Sequence, residues 1–190
     1  MYQSLLQDSR FFDLLLRLDE ELAAAARRAG CSCGGVLHSA HYRRKPRGGP
    51  SALGVEHAVR FSFCCALEGC RQRTTPVSLR FLGRKVFFGV VVLLVAALRD
   101  GPTPKRLAQV RQIFPVNVRT VKRWCRFWRV AFVESRAWRT VEGRLSTPIR
   151  AQEMPGALLE AFSGVADMAQ RVVAVLRLVA PIGAESVGVF

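Results

Sequence analysis

The sequence is poor in acid. Fourteen Asp and Glu stand against 29 Lys and Arg in 190 residues, a formal net charge of +15. That balance argues against a neutral surface and points to a polyanionic partner, with nucleic acid first. Long apolar runs are lacking as well. The longest, Val86 to Leu98, has 13 residues, where a membrane-crossing helix needs about 20. No spanning segment and no membrane partner are therefore expected. The opening stretch MYQSLLQDSRFFDLLLRLDEEL has early acids and no apolar core ending at a small-residue cleavage site. A secretory leader is not expected either. No internal repeat or low-complexity tract is evident. The six cysteines are accordingly read as those of a reducing cytoplasm.

What is present suffices for a core. Half of the residues are hydrophobic, with 12 Phe and three Trp, which does not fit a flexible basic tail. The charge is also uneven. Residues 1–29 carry a net −1, residues 30–85 +8, residues 86–150 +10 and residues 151–190 −2. A strongly basic middle between two mildly acidic ends suggests a positive binding face, with ends for packing or assembly.

Both ends read as helices. Leu5, Leu6, Phe12, Leu15, Leu16 and Leu22 recur at helical spacing from about Ser4 to Ala29, and Gly30 supplies a stop. Near the other end, Leu158, Leu159, Phe162, Val165, Val172, Val173, Leu176 and Val179 predict a helix over about Pro155 to Val179. Its broad apolar surface suits the core or a partner, including a second copy of the chain.

Five cysteines fall within forty residues. Cys31 and Cys33 lie in Cys-Ser-Cys-Gly-Gly, and Cys64, Cys65 and Cys70 lie in Cys-Cys-Ala-Leu-Glu-Gly-Cys. Two close pairs about thirty residues apart suit a tetrahedral zinc held by four thiolates. Between them, Val36 to Arg44 predicts a strand, residues 45–51 a loop, and Val59, Phe61 and Phe63 an alternating strand. Pair, strand, loop, strand, pair is the order of a zinc ribbon. Cys65 continues the Val59-Phe61-Phe63 face, so the expected ligands are Cys31, Cys33, Cys65 and Cys70, with one structural Zn2+. Cys64 is the reserve ligand, and His38, His41 or His57 could each replace a thiolate. Cys125 stands alone and reads as core.

Arg71, Arg73, Arg80, Arg84 and Lys85 follow the second pair and are expected to track phosphates. Val86 to Leu98 then reads as a buried helix. Thr103 and Pro104 begin another, which ends at Pro115. Asn117 caps the next, Val118 to about Ala131, with Val121, Trp124 and Phe127 or Trp128 inside and Arg119, Lys122, Arg123, Arg126 and Arg129 outside. Two short helices, the second with a basic outer face, describe a helix-turn-helix. Asn117, Arg119, Lys122, Arg123 and Arg126 are the expected contacts to duplex DNA. Arg111 stands where such motifs usually place a small residue, which leaves the crossing angle open.

Cys-x-Cys-Gly-Gly, then Cys-x4-Cys-Arg-x-Arg-Thr-Thr-Pro, then Arg119-Thr120-Val121-Lys122-Arg123-Trp124 resembles the zinc-ribbon plus helix-turn-helix front part of bacterial insertion-sequence transposases and related mobile-element proteins. The resemblance covers about residues 30–132. It implies recognition of element ends or an operator, a transposase or recombinase as partner, and a bacterial, nucleoid-associated location. It does not imply catalysis, because such enzymes carry a further RNase H-like domain with three carboxylates on two metals. After Ala131, Glu134, Glu142, Glu153, Glu160, Asp167 and Glu185 remain in 59 residues, which is too little chain for that domain.

The expected fold is mainly α with a small β zinc ribbon. The expected segments are an N-terminal helix (1–29), the ribbon (30–80), a three-helix helix-turn-helix unit (81–133) and a C-terminal linker with a packing or assembly helix (134–190). The expected function is a noncatalytic, sequence-specific DNA-binding protein of a mobile element, accessory or regulatory. A second reading is a reduced transposase or nuclease subunit that takes carboxylates from a partner. A third is an RNA-binding or protein-interaction adaptor, in which Phe61, Phe63, Phe81, Trp124 and Trp128 could stack bases.

Overall fold

A computed structural model describes residues 2–45, 52–81, 103–113, 117–143, 145 and 148–180. The expected helix Val86 to Leu98, the turn at Pro115, most of the 45–51 loop, and the phosphate candidates Arg84 and Lys85 lie outside the described residues. The described chain is mainly helical with a small antiparallel sheet system.

The N-terminal helix is broken where one continuous helix was expected. Helix α1 (Tyr2–Gln7) ends before Asp8, and α2 (Ser9–Ala29) begins after it. The cause is a cap: Asp8 accepts a hydrogen bond from the Arg10 amide at 3.0 Å and ties its own carboxylate to the Arg10 guanidinium. That guanidinium also holds the Asp8 carboxyl below its usual range. Gly30 ends α2 as expected, at φ 73°, a left-handed conformation that costs glycine nothing.

Five short strands follow: β1 (Leu37–Ser39), β2 (Tyr42–Arg43), β3 (Val59–Arg60), β4 (Phe63–Cys65) and β5 (Arg73–Thr74). They form a three-stranded sheet in the order β1-β4-β5 and a two-stranded sheet β2-β3. Each of the two strands expected around the 45–51 loop is thus divided in two. The division falls at His41 and Ser62. The Nδ1 atom of His41 lies 2.9 Å from the Ser62 carbonyl and 3.2 Å from the Ser62 amide. The imidazole therefore stands in for ladder bonds at the bend, with its edge against Phe61 and Phe63.

Helix α3 (Pro104–Ile113) starts at Thr103, whose hydroxyl accepts from the Arg106 amide at 3.3 Å. Helix α4 (Val118–Arg126) starts at Asn117, which accepts from the Arg119 amide at 2.9 Å. Beyond Arg126 the chain widens into a π-helical turn, Phe127–Phe132, where a plain α-helix was expected. The wider turn puts Phe127, Trp128 and Phe132 in mutual ring contact and brings Phe132 to 5.3 Å from Trp138.

Helix α5 (Arg136–Glu142) occupies what was read as linker, and the Ser135 hydroxyl caps it by accepting from the Trp138 amide. The C-terminal helix is also two: α6 (Gly156–Ala161) and α7 (Met168–Val179). Asp167 caps α7 through the Gln170 amide at 2.8 Å, and Arg171 donates to the Ser163 and Val165 carbonyls, holding the intervening loop.

Apolar burial falls into two clusters. The larger joins Phe12 and Leu15 of α2, Val121, Trp124 and Trp128 of the α4 stretch, Trp138, Leu158 and Leu176. With Leu79, it draws on all four expected segments together. The smaller joins Ala23 of α2 to Cys31, Leu37, Phe63 and Cys65. Helix α2 spans both clusters. Between them, buried Asp19 accepts from Ser78 Oγ, the Leu79 amide at 2.6 Å and Arg80 Nε at 2.8 Å.

Candidate metal centre and basic helix face

Cys31, Cys33, Cys65 and Cys70 converge, with their sulfur atoms all within 4.8 Å of one another. Cys31 Sγ lies 3.8 Å from Cys70 Sγ, and Cys33 Sγ lies 3.5 Å from Cys65 Sγ. The choice between Cys64 and Cys65 follows from register. Cys65 pairs with Leu37 and faces inward, whereas Cys64 pairs with His38 and Arg73 on the opposite face. Cys64 Sγ instead points to the Arg71 carbonyl at 3.4 Å. His41 is engaged at the strand bend, and His57 is buried with Nε2 3.2 Å from Asp13.

The local chain is shaped to the sulfurs. The first pair closes a tight turn, with the Gly34 amide on the Cys31 carbonyl at 2.9 Å and the Cys31 amide on the Gly35 carbonyl at 3.0 Å. At Gly35 there is no room for a side chain, because a Cβ there would lie 2.5 Å from Cys65 Sγ and 3.3 Å from Cys33 Sγ. Three of the sulfurs also face the backbone amide two residues on: Cys33 for Cys31, Leu67 for Cys65 and Gln72 for Cys70. Such donors favour the thiolate.

The electrostatics are those of crowded acids. The Cys33 amide, then the Cys33 thiol, bring Cys31 down to about 7. At Cys65 the Leu67 amide pulls down, but burial and the thiols of Cys33, Cys31 and Cys70 outweigh it and push the group up to about 12. Cys70 is pulled down by the Gln72 amide, yet Cys33, burial and Cys31 leave it raised. One thiol ionises readily and its neighbours then resist, because like charges this close oppose one another. A cation at the centre removes that conflict, so the four cysteines form a possible metal-binding site.

The basic residues divide. Arg119, Lys122, Arg123 and Arg126 are exposed on one face of α4 and line an open groove of about 460 Å³. Thr120, Val121, Trp124 and Cys125 are buried on the other face. Burial raises the Cys125 thiol, in keeping with a core residue. Asn117 is exposed, with its side chain engaged as the cap. Arg71 and Arg73 are exposed, Arg73 on β5.

Arg80 corrects the expectation of a phosphate contact. It is fully buried, paired with Asp19, and three further N–H groups donate to the carbonyls of Glu56, His57 and Val59. The rings of Phe61 and Phe81 each lie 5.1 Å from it. With four of its five N–H groups engaged and its side chain out of solvent, it does not reach a phosphate. The aromatics suggested for base stacking are also interior: Phe63, Phe81, Trp124 and Trp128 are buried, and Phe61 is half-buried.

Among the described residues, no helix is long and apolar enough to cross a membrane. Compared with known proteins, the chain matches no family model, no curated protein and no solved structure.

Proposed function

We propose that the protein binds duplex DNA sequence-specifically through α4 and stabilises its ribbon with one zinc ion, without catalysing a reaction. The observation that carries the DNA reading is the groove of Arg119, Lys122, Arg123 and Arg126 behind the Asn117 cap. Four cations on one helix face, with bulky apolar residues anchoring the other, suit a helix laid in the major groove. There Arg reads guanine and the first turn meets base edges.

Zinc is favoured for the thiol cluster by chemistry and size. Four sulfurs at about 2.3 Å from a tetrahedral ion stand about 3.8 Å apart, close to the 3.5 and 3.8 Å of the two direct pairs. Four protein ligands leave no open position for substrate, which favours a structural role. Several carboxylates have other partners: Asp19 holds Arg80, Asp13 faces His57, and Asp8 and Asp167 cap helices.

The order of ribbon, then paired helices, supports an accessory or regulatory role at a mobile element, beside a transposase or recombinase. A two-ended site would suit a homodimer. The test is selection of bound duplexes from a random pool, with zinc measured in the same preparation. One enriched motif and about one zinc per chain are expected. Recovery of unrelated sequences, or protein without zinc, would overturn the corresponding half of the reading.

A further inference from the structure

We infer that the ribbon carries a second DNA contact, a phosphate clamp in which Tyr42 holds the guanidinium groups of Arg44 and Arg73. Tyr42 lies in β2 and Arg44 directly after it, two residues on, where extended chain turns alternate side chains to one face. Arg73 comes from β5, the edge of the other sheet. The Arg44 guanidinium carbon lies 4.9 Å from the centre of the Tyr42 ring, and that of Arg73 lies 5.6 Å away. Arg44 Nη2 also donates to the Tyr42 hydroxyl at 3.2 Å, and the Arg44 amide is fixed to the Ala58 carbonyl at 2.8 Å. One ring thus gathers two cations from two sheets.

Among the described residues, Arg44 and Arg73 form no ion pair with a carboxylate. Two guanidiniums held by one ring without a carboxylate leave their charge to an outside anion, and a phosphodiester backbone supplies one. The guanidinium fork matches phosphate geometry. Contact with the ring restricts side chains that would otherwise lose rotamer freedom on binding. The tyrosine ring is engaged by arginine, which favours backbone contact over base stacking. The clamp therefore adds affinity without choosing sequence. The choice of duplex DNA as the source of the phosphate rests on the reading of α4.

The test uses the full zinc-loaded chain and two 20-base-pair duplexes, one carrying the selected motif and one random, over a range of salt. Tyr42→Leu removes no charge, yet it is expected to weaken both duplexes by about two- to fivefold, the size of one exposed cation–π contact. Arg73→Gln is expected to weaken both and to lower the salt slope by about 0.9. The double variant should lose less than the product of the two single losses, because both break one arrangement. Tyr42→Phe, which keeps the ring, should stay near wild type and guards against a folding defect in Tyr42→Leu. Arg177→Gln, an exposed arginine on α7, should change the salt slope less than Arg73→Gln.

If Tyr42→Leu binds both duplexes as wild type does while Arg119→Ala loses the preferred site, the clamp is wrong and the α4 reading stands. If the Tyr42 and Arg73 variants weaken both duplexes and Arg119→Ala changes nothing, the clamp stands and the α4 reading falls. A wild-type chain that binds an RNA hairpin more tightly than either duplex overturns the assignment to DNA.

Discussion

Gly35 is the residue on which the thiol cluster closes, since any Cβ at that position would press on Cys65 and Cys33 sulfur. Gly35→Ala should therefore lower zinc occupancy with all four cysteines intact, as measured by metal analysis of protein purified under reducing conditions. Occupancy equal to wild type would show that the turn can shift at no cost. On the proposed zinc site, Cys65→Ser should destabilise the sheets around the cluster, because metal binding would supply folding energy there, whereas Cys64→Ser should keep the metal; thermal unfolding with zinc measured alongside separates the two. This difference was legible in the sequence, because alternation from Phe63 fixes which of two adjacent cysteines turns inward. Arg80 was not legible. It stands in the same basic stretch as Arg73, and what sets it apart is Asp19, 61 positions earlier. No local pattern reports such a partner.

Among the elements, α2 has the widest reach. Its first half belongs to the large apolar cluster, its last turns to the smaller one, and Asp19 lies between. Asp19→Asn leaves the Arg80 charge buried without its counter-ion, which should cost about 3–5 kcal/mol. Urea unfolding of the zinc-loaded chain measures this, and a loss under 1 kcal/mol would mean that water reaches Arg80. The caps at Asp8 and Asp167 were visible as residue types, but a continuous apolar stripe hid the breaks that they impose. The stripe persists across each break because both pieces pack on one core. Helix α5 and the π-helical turn depend on how Phe127, Trp128, Phe132 and Trp138 meet, which spacing along one helix does not encode. The apolar face of α7 lies within the chain, with Val172, Val175 and Leu176 fully buried. Leu176→Ala should cost about 2–5 kcal/mol, without a change in oligomeric state by light scattering. Dissociation of an oligomer with unchanged stability would instead make that face an interface.

At the scale of the whole molecule, a formal charge of +15 favours attraction to polyanions in general, so on the proposed reading only position distinguishes base reading from attraction. The groove residues Arg119, Lys122, Arg123 and Arg126 are set on a helix anchored by buried tryptophan, whereas Arg71 and Arg73 are exposed at the sheet edge by β5. The most direct measurement is the ratio of affinities for the selected site and for random duplex, taken for wild type, Arg119→Ala and Arg71→Ala at one salt concentration. Arg119→Ala should lose about 1–3 kcal/mol on the selected site and little on random DNA. Arg71→Ala should weaken both equally and lower the salt slope by about 0.9. If both variants instead weaken the two duplexes in the same proportion, α4 does not read sequence, and the basic middle of the chain is a general polyanion surface.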